Sequence, residues 1–128
     1  MKKFWVSLAA VILFTACQES LEDRCARETK EYTQKKCPVR LDKNTTLDSM
    51  TFERDTRTIH YYYRLTGNAD RDSILQDIDA VSTLREEVRN TTALRVYKEN
   101  KYRFAYTYRS ERDPKKILLD VVFTEKDY

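Results

Sequence analysis

The sequence predicts an α+β fold: an antiparallel β-sheet with helices packed on one face, in the order α-β-β-α-β-β-β. Three observations carry this reading. Tyrosine-rich segments alternate with period two, as in Ile59–Leu65 and Tyr102–Arg109. Apolar residues recur at helical spacing over Ile74, Ile78, Val81, Leu84 and Val88. The chain has 128 residues, of which 35% are charged, 41% hydrophobic and 12% aromatic, which suits one core and a folded body.

From Ser20 to about Lys36 the chain reads as a highly charged helix. Ser20 with Asp23 sets a capping-box-like start, and Lys35-Lys36 before Cys37-Pro38 suits its end. The apolar stripe is thin (Leu21, Cys25 and Tyr32, with Ala26 beside them), so docking is expected through the C-terminal half, with a frayed start. Cys37–Leu41 is a short extended piece, and Asp42–Thr46 a polar connection.

Leu47–Arg54 and Thr58–Thr66 predict a hairpin turning at Asp55-Thr56. Ile59, Tyr61, Tyr63 and Leu65 share one face; His60, Tyr62 and Arg64 share the other. Gly67 and Asn68 turn the chain towards a second helix. Its Ser73–Gln76 capping box follows Asp70 and Asp72, and the helix is expected to run to Arg89 with Leu75 flanking its stripe.

Beyond Asn90-Thr91-Thr92, strands are expected at about Ala93–Lys98, Tyr102–Arg109 and Lys116–Thr124. The last carries Ile117, Leu119, Val121 and Phe123 on one side and Leu118, Asp120 and Val122 on the other. Apolar content on both sides predicts an inner strand, or one covered on both faces. An echo at an offset of 45 pairs Thr46 with Thr91, Tyr61 with Tyr106, Tyr63 with Tyr108 and Arg64 with Arg109. A duplication and two hairpins of similar chemistry both stay open, since the helices do not align at that offset.

The N-terminus reads as an address. Lys2 and Lys3 precede an apolar run from Phe4 to Phe14, broken only by Ser7, and small residues lead into a polar chain. This is the pattern of a secretory signal peptide over residues 1–16, and it falls short of the roughly 20 residues that cross a bilayer. Leu13-Phe14-Thr15-Ala16-Cys17 resembles the lipobox of bacterial lipoproteins. The resemblance implies a diacylglyceryl group on the Cys17 thiol and cleavage just before it. The mature chain would then be a single α+β domain over 17–128, with 17–20 as a short lipid-anchored linker. Gln18, which is not Asp, implies the outer membrane in a diderm bacterium. A plain secreted chain, with Cys17 cut away or left as a thiol, is the alternative.

Removing residues 1–16 takes away two lysines and no acids, so the net charge falls from +3 to +1. No electrostatic ground for a nucleic-acid partner is left. The single glycine, Gly67, excludes a phosphate loop, a dinucleotide fingerprint and a nucleophile elbow, each of which needs several glycines at fixed spacing. The single histidine, His60, and the cysteine spacing fit no zinc or calcium pattern, so neither cofactor nor metal is expected.

Cys25 and Cys37 are an even pair in a compartment that permits disulfides. An unbroken helix between them would separate their Cα atoms by roughly 18 Å, and a bridge needs less than about 7 Å. Either the helix stops early and a disulfide forms, or Cys25 is a small buried apolar residue.

The candidate partner-binding face carries His60, Tyr62, Arg64, Arg103, Thr107 and Arg109, because Tyr and Arg are enriched at interfaces. The segment from Cys37-Pro38 through Thr46-Leu47-Asp48-Ser49 resembles small exported bacterial proteins of unassigned function and implies no residue roles. With no catalytic constellation, the expected function is a non-enzymatic binding or accessory module of the cell envelope. It would be tethered to the bilayer by an N-terminal acyl anchor and would meet an envelope protein or glycan. An inhibitor or immunity-type protein is the alternative, and an enzyme using Asp120 or His60 is a third reading.

Overall fold

Residues 19–128 are described by a computed structural model; the signal peptide expected over residues 1–16 and the lipidation expected at Cys17 lie outside the described residues. Ser20 caps the first helix as its sequence demands, accepting from the Asp23 backbone N–H at 3.0 Å, and α1 runs from Leu21 to Lys36. The start of α1 is docked rather than frayed. Cys25 and Thr29 are buried, and Thr33 Oγ1 both accepts from the Met50 N–H and donates to the Met50 carbonyl at 2.9 Å. These three residues recur every fourth position, and their small side chains let the helix lie close on the sheet. Because α1 is unbroken to Lys36, Cys25 and Cys37 keep free thiols, and the disulfide alternative does not form.

Five strands follow: β1 (Val39–Asp42), β2 (Thr45–Glu53), β3 (Thr58–Leu65), β4 (Arg103–Ser110) and β5 (Ile117–Phe123). They lie in sequence order across one sheet. The sheet is mixed, not antiparallel throughout, because β3 and β4 run parallel from Thr58↔Arg103 to Leu65↔Ser110. A parallel neighbour requires the chain to return to the end it started from, and that crossover carries all the remaining helices. They are α2 (Ile74–Asp77), α3 (Ala80–Asn90) and α4 (Arg95–Glu99).

Three expectations fail within this crossover. The helix predicted over 74–89 is broken at Asp79, whose φ of 50° is left-handed, a conformation that aspartate tolerates better than most residues. The break turns Ile78 outward, 60% exposed, while Leu75, Ala80, Leu84 and Val88 stay buried. The Ser73 capping box does not form; Ser73 Oγ donates to Asp77 Oδ2 at 3.3 Å instead. The strand predicted at Ala93–Lys98 is a 3-10 turn, Thr92–Leu94, running into α4. There Arg95 pairs with Glu99 at 3.0 Å, and the Asn100 side chain donates to the Val96 carbonyl; both contacts need helical spacing.

The last strand is an edge strand, against expectation. Leu118 is the extra residue of a bulge between Tyr108↔Leu119 and Arg109↔Ile117. It packs with Leu65, Leu75 and Ala80, whereas Ile117 and Val122 remain about half exposed. Apolar residues on both sides of this strand thus reflect a kink, not two-sided cover.

The main core gathers Cys25, Ile59, Leu84, Val88, Tyr102, Phe104, Tyr106 and Phe123 between one sheet face and the helices. The offset of 45 is the register of the parallel pair. Tyr61 stands beside Tyr106, Tyr63 beside Tyr108 and Arg64 beside Arg109, whereas Thr46 pairs with Arg64 and Thr91 closes α3. Among the described residues, no helix is long and apolar enough to cross a membrane, and no cluster of His, Cys, Asp and Glu could hold a metal ion.

Candidate functional site

The parallel register brings four tyrosines together on the helix-facing side of the sheet. Tyr63 and Tyr108 stack with ring centroids 4.6 Å apart, and Tyr61 and Tyr106 at 4.9 Å. Tyr63 and Tyr108 form part of the floor of a groove of about 400 Å³ between the crossover helices and the β1–β2 end of the sheet. Its lips are apolar and exposed, Leu41 from β1 and Ile78 from the break before α3. Asp42 and Glu87 add carboxylates to the lining.

None of the four tyrosine hydroxyls bonds to another described residue, and none is sealed from solvent. Burial is the main cause that pushes Tyr61 and Tyr108 up to about 12, followed by Cys25 and Tyr97 beside Tyr61 and by Glu87 beside Tyr108. Burial is again the largest cause that drives Tyr63 and Tyr106 well above the usual tyrosine range. All four are therefore neutral at physiological pH and can both donate and accept. The groove offers unengaged hydrogen-bonding groups on an apolar bed, the composition of a binding site rather than of a nucleophile.

The opposite sheet face is built differently. His60 Nδ1 lies 2.5 Å from Glu53 Oε1 and 3.1 Å from the Tyr62 hydroxyl, and its Nε2 lies 2.7 Å from Thr107 Oγ1. Thr107 donates to Asp120 Oδ1 at 3.0 Å, and therefore accepts from His60 Nε2–H. The His60 and Tyr62 rings stack at 4.1 Å. Of the six residues predicted for a partner face, this network joins His60, Tyr62 and Thr107. Arg64 and Arg109 sit side by side further along; Arg64 pairs with Asp48 at 3.3 Å and Glu111 at 3.8 Å, and Arg109 donates to the Pro114 carbonyl. Arg103 stands apart, at the hairpin end. Neither His60 nor Asp120 lines the groove or the cleft at that end.

The family model described as "Domain of unknown function (DUF8479)" matches residues 20–119 of this chain, which covers α1 and every strand as far as the middle of β5. The chain belongs to this family. No curated protein matches it. Three solved structures share the fold of this DUF8479 chain. One is a protein from Pseudomonas aeruginosa described as secreted, at 13% identity and a TM-score of 0.64, covering 86% of this chain and 98% of that one. The second is the pilotin EpsS of the Vibrio vulnificus type 2 secretion system, at 11% identity and a TM-score of 0.65, covering 84% and 90%. The third is the type II secretion system pilotin AspS of Vibrio cholerae, at 11% and 0.61, covering 84% and 92%. At these identities the likeness is one of fold, and no enzyme family is indicated.

Sequence reasoning assigns Tyr61, Tyr63, Tyr106 and Tyr108 to the core face of this DUF8479 domain and stops there. The signal for the groove lies in the offset of 45, which is the stacking register. The lip residue Ile78 is hidden from a periodicity argument, since a helix through Asp79 would bury it.

Proposed function

We propose that this chain is an exported, membrane-anchored accessory module of the cell envelope that holds an amphipathic segment of an envelope protein in its tyrosine-floored groove. One observation carries the reading: the stacked Tyr63 and Tyr108, whose hydroxyls meet no described partner, floor the groove beneath exposed apolar lips. Apolar anchors of a bound segment would cover Leu41 and Ile78 and displace water from the tyrosine rings. Asp42 and Glu87 favour a Lys or Arg beside those anchors.

Export and anchoring rest on the signal peptide over 1–16 and on Cys17, with the outer membrane as the destination. The shared fold with two secretion-system pilotins and a secreted protein supports an accessory role in the envelope. His60 and Asp120 line neither the groove nor the cleft at the hairpin end, which supports a binding role over a catalytic one.

The test is photo-crosslinking in cells from position 78, with position 122 on the opposite face as the control. A discrete adduct from position 78, lost when Leu41→Asp and Tyr63→Phe are introduced together, is expected. Adducts from position 122 alone would move the partner to the outer face. That second reading, a docking face of His60, Tyr62, Arg64, Arg103, Thr107 and Arg109, is favoured by the half-exposed Ile117 and Val122 beside Arg109 and Ala105.

A further inference from the structure

The end of the sheet that carries the β2–β3 turn is also the end where α1 begins. Arg54 Nη2 donates to Asp23 Oδ1 at 2.9 Å, which ties that turn to the first turn of α1. Only residues 17–20 separate an anchor on Cys17 from Leu21. Four residues reach at most about 14 Å, so an acylated Cys17 would hold this end against the bilayer surface.

The same end carries a polar cleft of about 540 Å³. Arg57, Lys101, Arg103 and Lys126 line it against only Asp55 and Glu125, a surplus of two positive charges. Lys101 approaches Glu125 at 3.8 Å. Among the described residues Arg57, Arg103 and Lys126 have no carboxylate partner, and the Arg57 guanidinium instead lies 5.8 Å from the Tyr102 ring centre. Two acids of the neighbouring helix start are engaged elsewhere, Glu19 with Arg27 and Asp23 with Arg54. Three cations without a carboxylate partner, with Asp55 as the one equally unpaired acid of the lining, therefore lie at the end that an acylated Cys17 would bring to the bilayer.

We infer that this cleft binds the phosphate head groups of anionic phospholipid in the membrane that holds the chain, an inference that rests on the Cys17 anchor. It fixes how the molecule stands. β2 runs from its pairing with Leu65 at the groove end to its pairing with Thr58 at the hairpin end, nine residues and about 30 Å long. With the hairpin end on lipid, the groove opens away from the bilayer, towards a partner.

Orientation is what the experiment must read, because acyl chains bind any bilayer. Trp5 is the only tryptophan and lies in the segment that processing removes, so one introduced tryptophan reports alone. Thr56→Trp places it at the hairpin turn, and Lys43→Trp at the opposite turn. The full chain, processed in cells, is inserted into phosphatidylcholine vesicles containing nitroxide head-group lipid, with or without a minority of phosphatidylglycerol. With phosphatidylglycerol present, the Thr56→Trp chain should be quenched several-fold more than the Lys43→Trp chain. Adding Arg57→Gln, Arg103→Gln and Lys126→Gln should reduce that quenching several-fold, as should high salt.

Equal quenching without phosphatidylglycerol, or an unaffected triple variant, would overturn the cleft. So would its abolition by inorganic phosphate alone, which would assign the site to a free anion. The mass of the mature N-terminus separates the two readings. A lipidated chain without lipid-dependent quenching refutes the cleft and leaves the anchor. An unlipidated chain that is still quenched on phosphatidylglycerol refutes the anchor and leaves the cleft.

Discussion

Tyr61 and Tyr106 stand side by side on parallel strands, their ring centroids 4.9 Å apart and their planes 16° from parallel. Tyr63 and Tyr108 repeat the arrangement one step along, so the stack is produced by register and not by one special contact. Stacking buries the rings, Tyr63 and Tyr108 border the groove, and burial is the largest cause of the raised proton affinity of all four.

That gives a prediction for alkaline stability. Each of these tyrosines holds its proton more tightly when folded than in the unfolded chain, where the value is about 10. Their contribution is complete below that pH and is lost as the pH climbs through the folded values, which reach about 12 for Tyr61 and Tyr108. The tyrosine contribution should therefore be constant from neutral pH to about pH 10 and fall away above it. Tyrosinate absorbance should rise together with the loss of circular dichroism, and tyrosinate formation within an intact fold would contradict the burial argument.

Ile78 and Leu84 are both aliphatic residues lining the groove, and they differ in what holds them. Leu84 is 5% exposed and Ile78 60%. Leu84→Ala should cost about 2–5 kcal/mol in denaturant unfolding, because it leaves a cavity beneath α3. Ile78→Ala should change stability by less than about 0.5 kcal/mol yet weaken capture of the partner when the crosslinker stands at position 41, on the other lip of the groove. If Ile78→Ala lowers stability as Leu84→Ala does, the lip belongs to the core and the groove is not a docking surface.

These two residues also mark how far the sequence could be read. Periodicity treats Ile78 and Leu84 as one stripe; only the left-handed Asp79 separates them, and its conformation depends on how the crossover closes onto the sheet. Val96 and Tyr97 look like strand residues because branched and aromatic side chains favour sheets. Tyr97 instead packs on Tyr102 from a helical turn, its centroid 5.2 Å away, where tertiary contact overrides propensity. Ser20, the hairpin and the two faces of β3 were legible because each rests on neighbours within a few residues. The parallel pairing was not, since it joins positions 45 apart. The groove depends on that pairing and was hidden with it.

Asp70 closes the turn between β3 and α2 and is buried. The Arg112 backbone N–H donates to its Oδ2 at 3.0 Å, and the Arg112 guanidinium reaches both that oxygen and the Asp70 carbonyl. Burial alone would raise its proton affinity; hydrogen bonds from Ser110 and Arg112, with the Arg112 charge, outweigh it and hold the carboxyl below its ordinary value. The stabilisation is thus present above the unfolded value, near 3.9, and is lost as the pH falls through the folded one. Asp70→Asn should cost about 2–3 kcal/mol at neutral pH and should flatten the acid limb of the stability profile. An acid limb unchanged by Asp70→Asn would place the carboxylate's role elsewhere.

Tyr102 and Tyr128 offer opposite outcomes for the same chemical change. The Tyr102 ring is 1% exposed, stacked on Phe52 at 5.6 Å, and its hydroxyl is buried with no partner among the described residues. A buried hydroxyl without a partner has lost its water and gained nothing in return. Tyr102→Phe should therefore be neutral or stabilising by up to about 1 kcal/mol. The Tyr128 hydroxyl donates to the Tyr102 carbonyl at 2.8 Å, so Tyr128→Phe should cost about 1 kcal/mol by leaving that acceptor unmet. Thermal unfolding of the two variants side by side decides it: a loss at Tyr102 equal to that at Tyr128 would mean that the Tyr102 hydroxyl has a partner, such as a buried water, that holds it in the core.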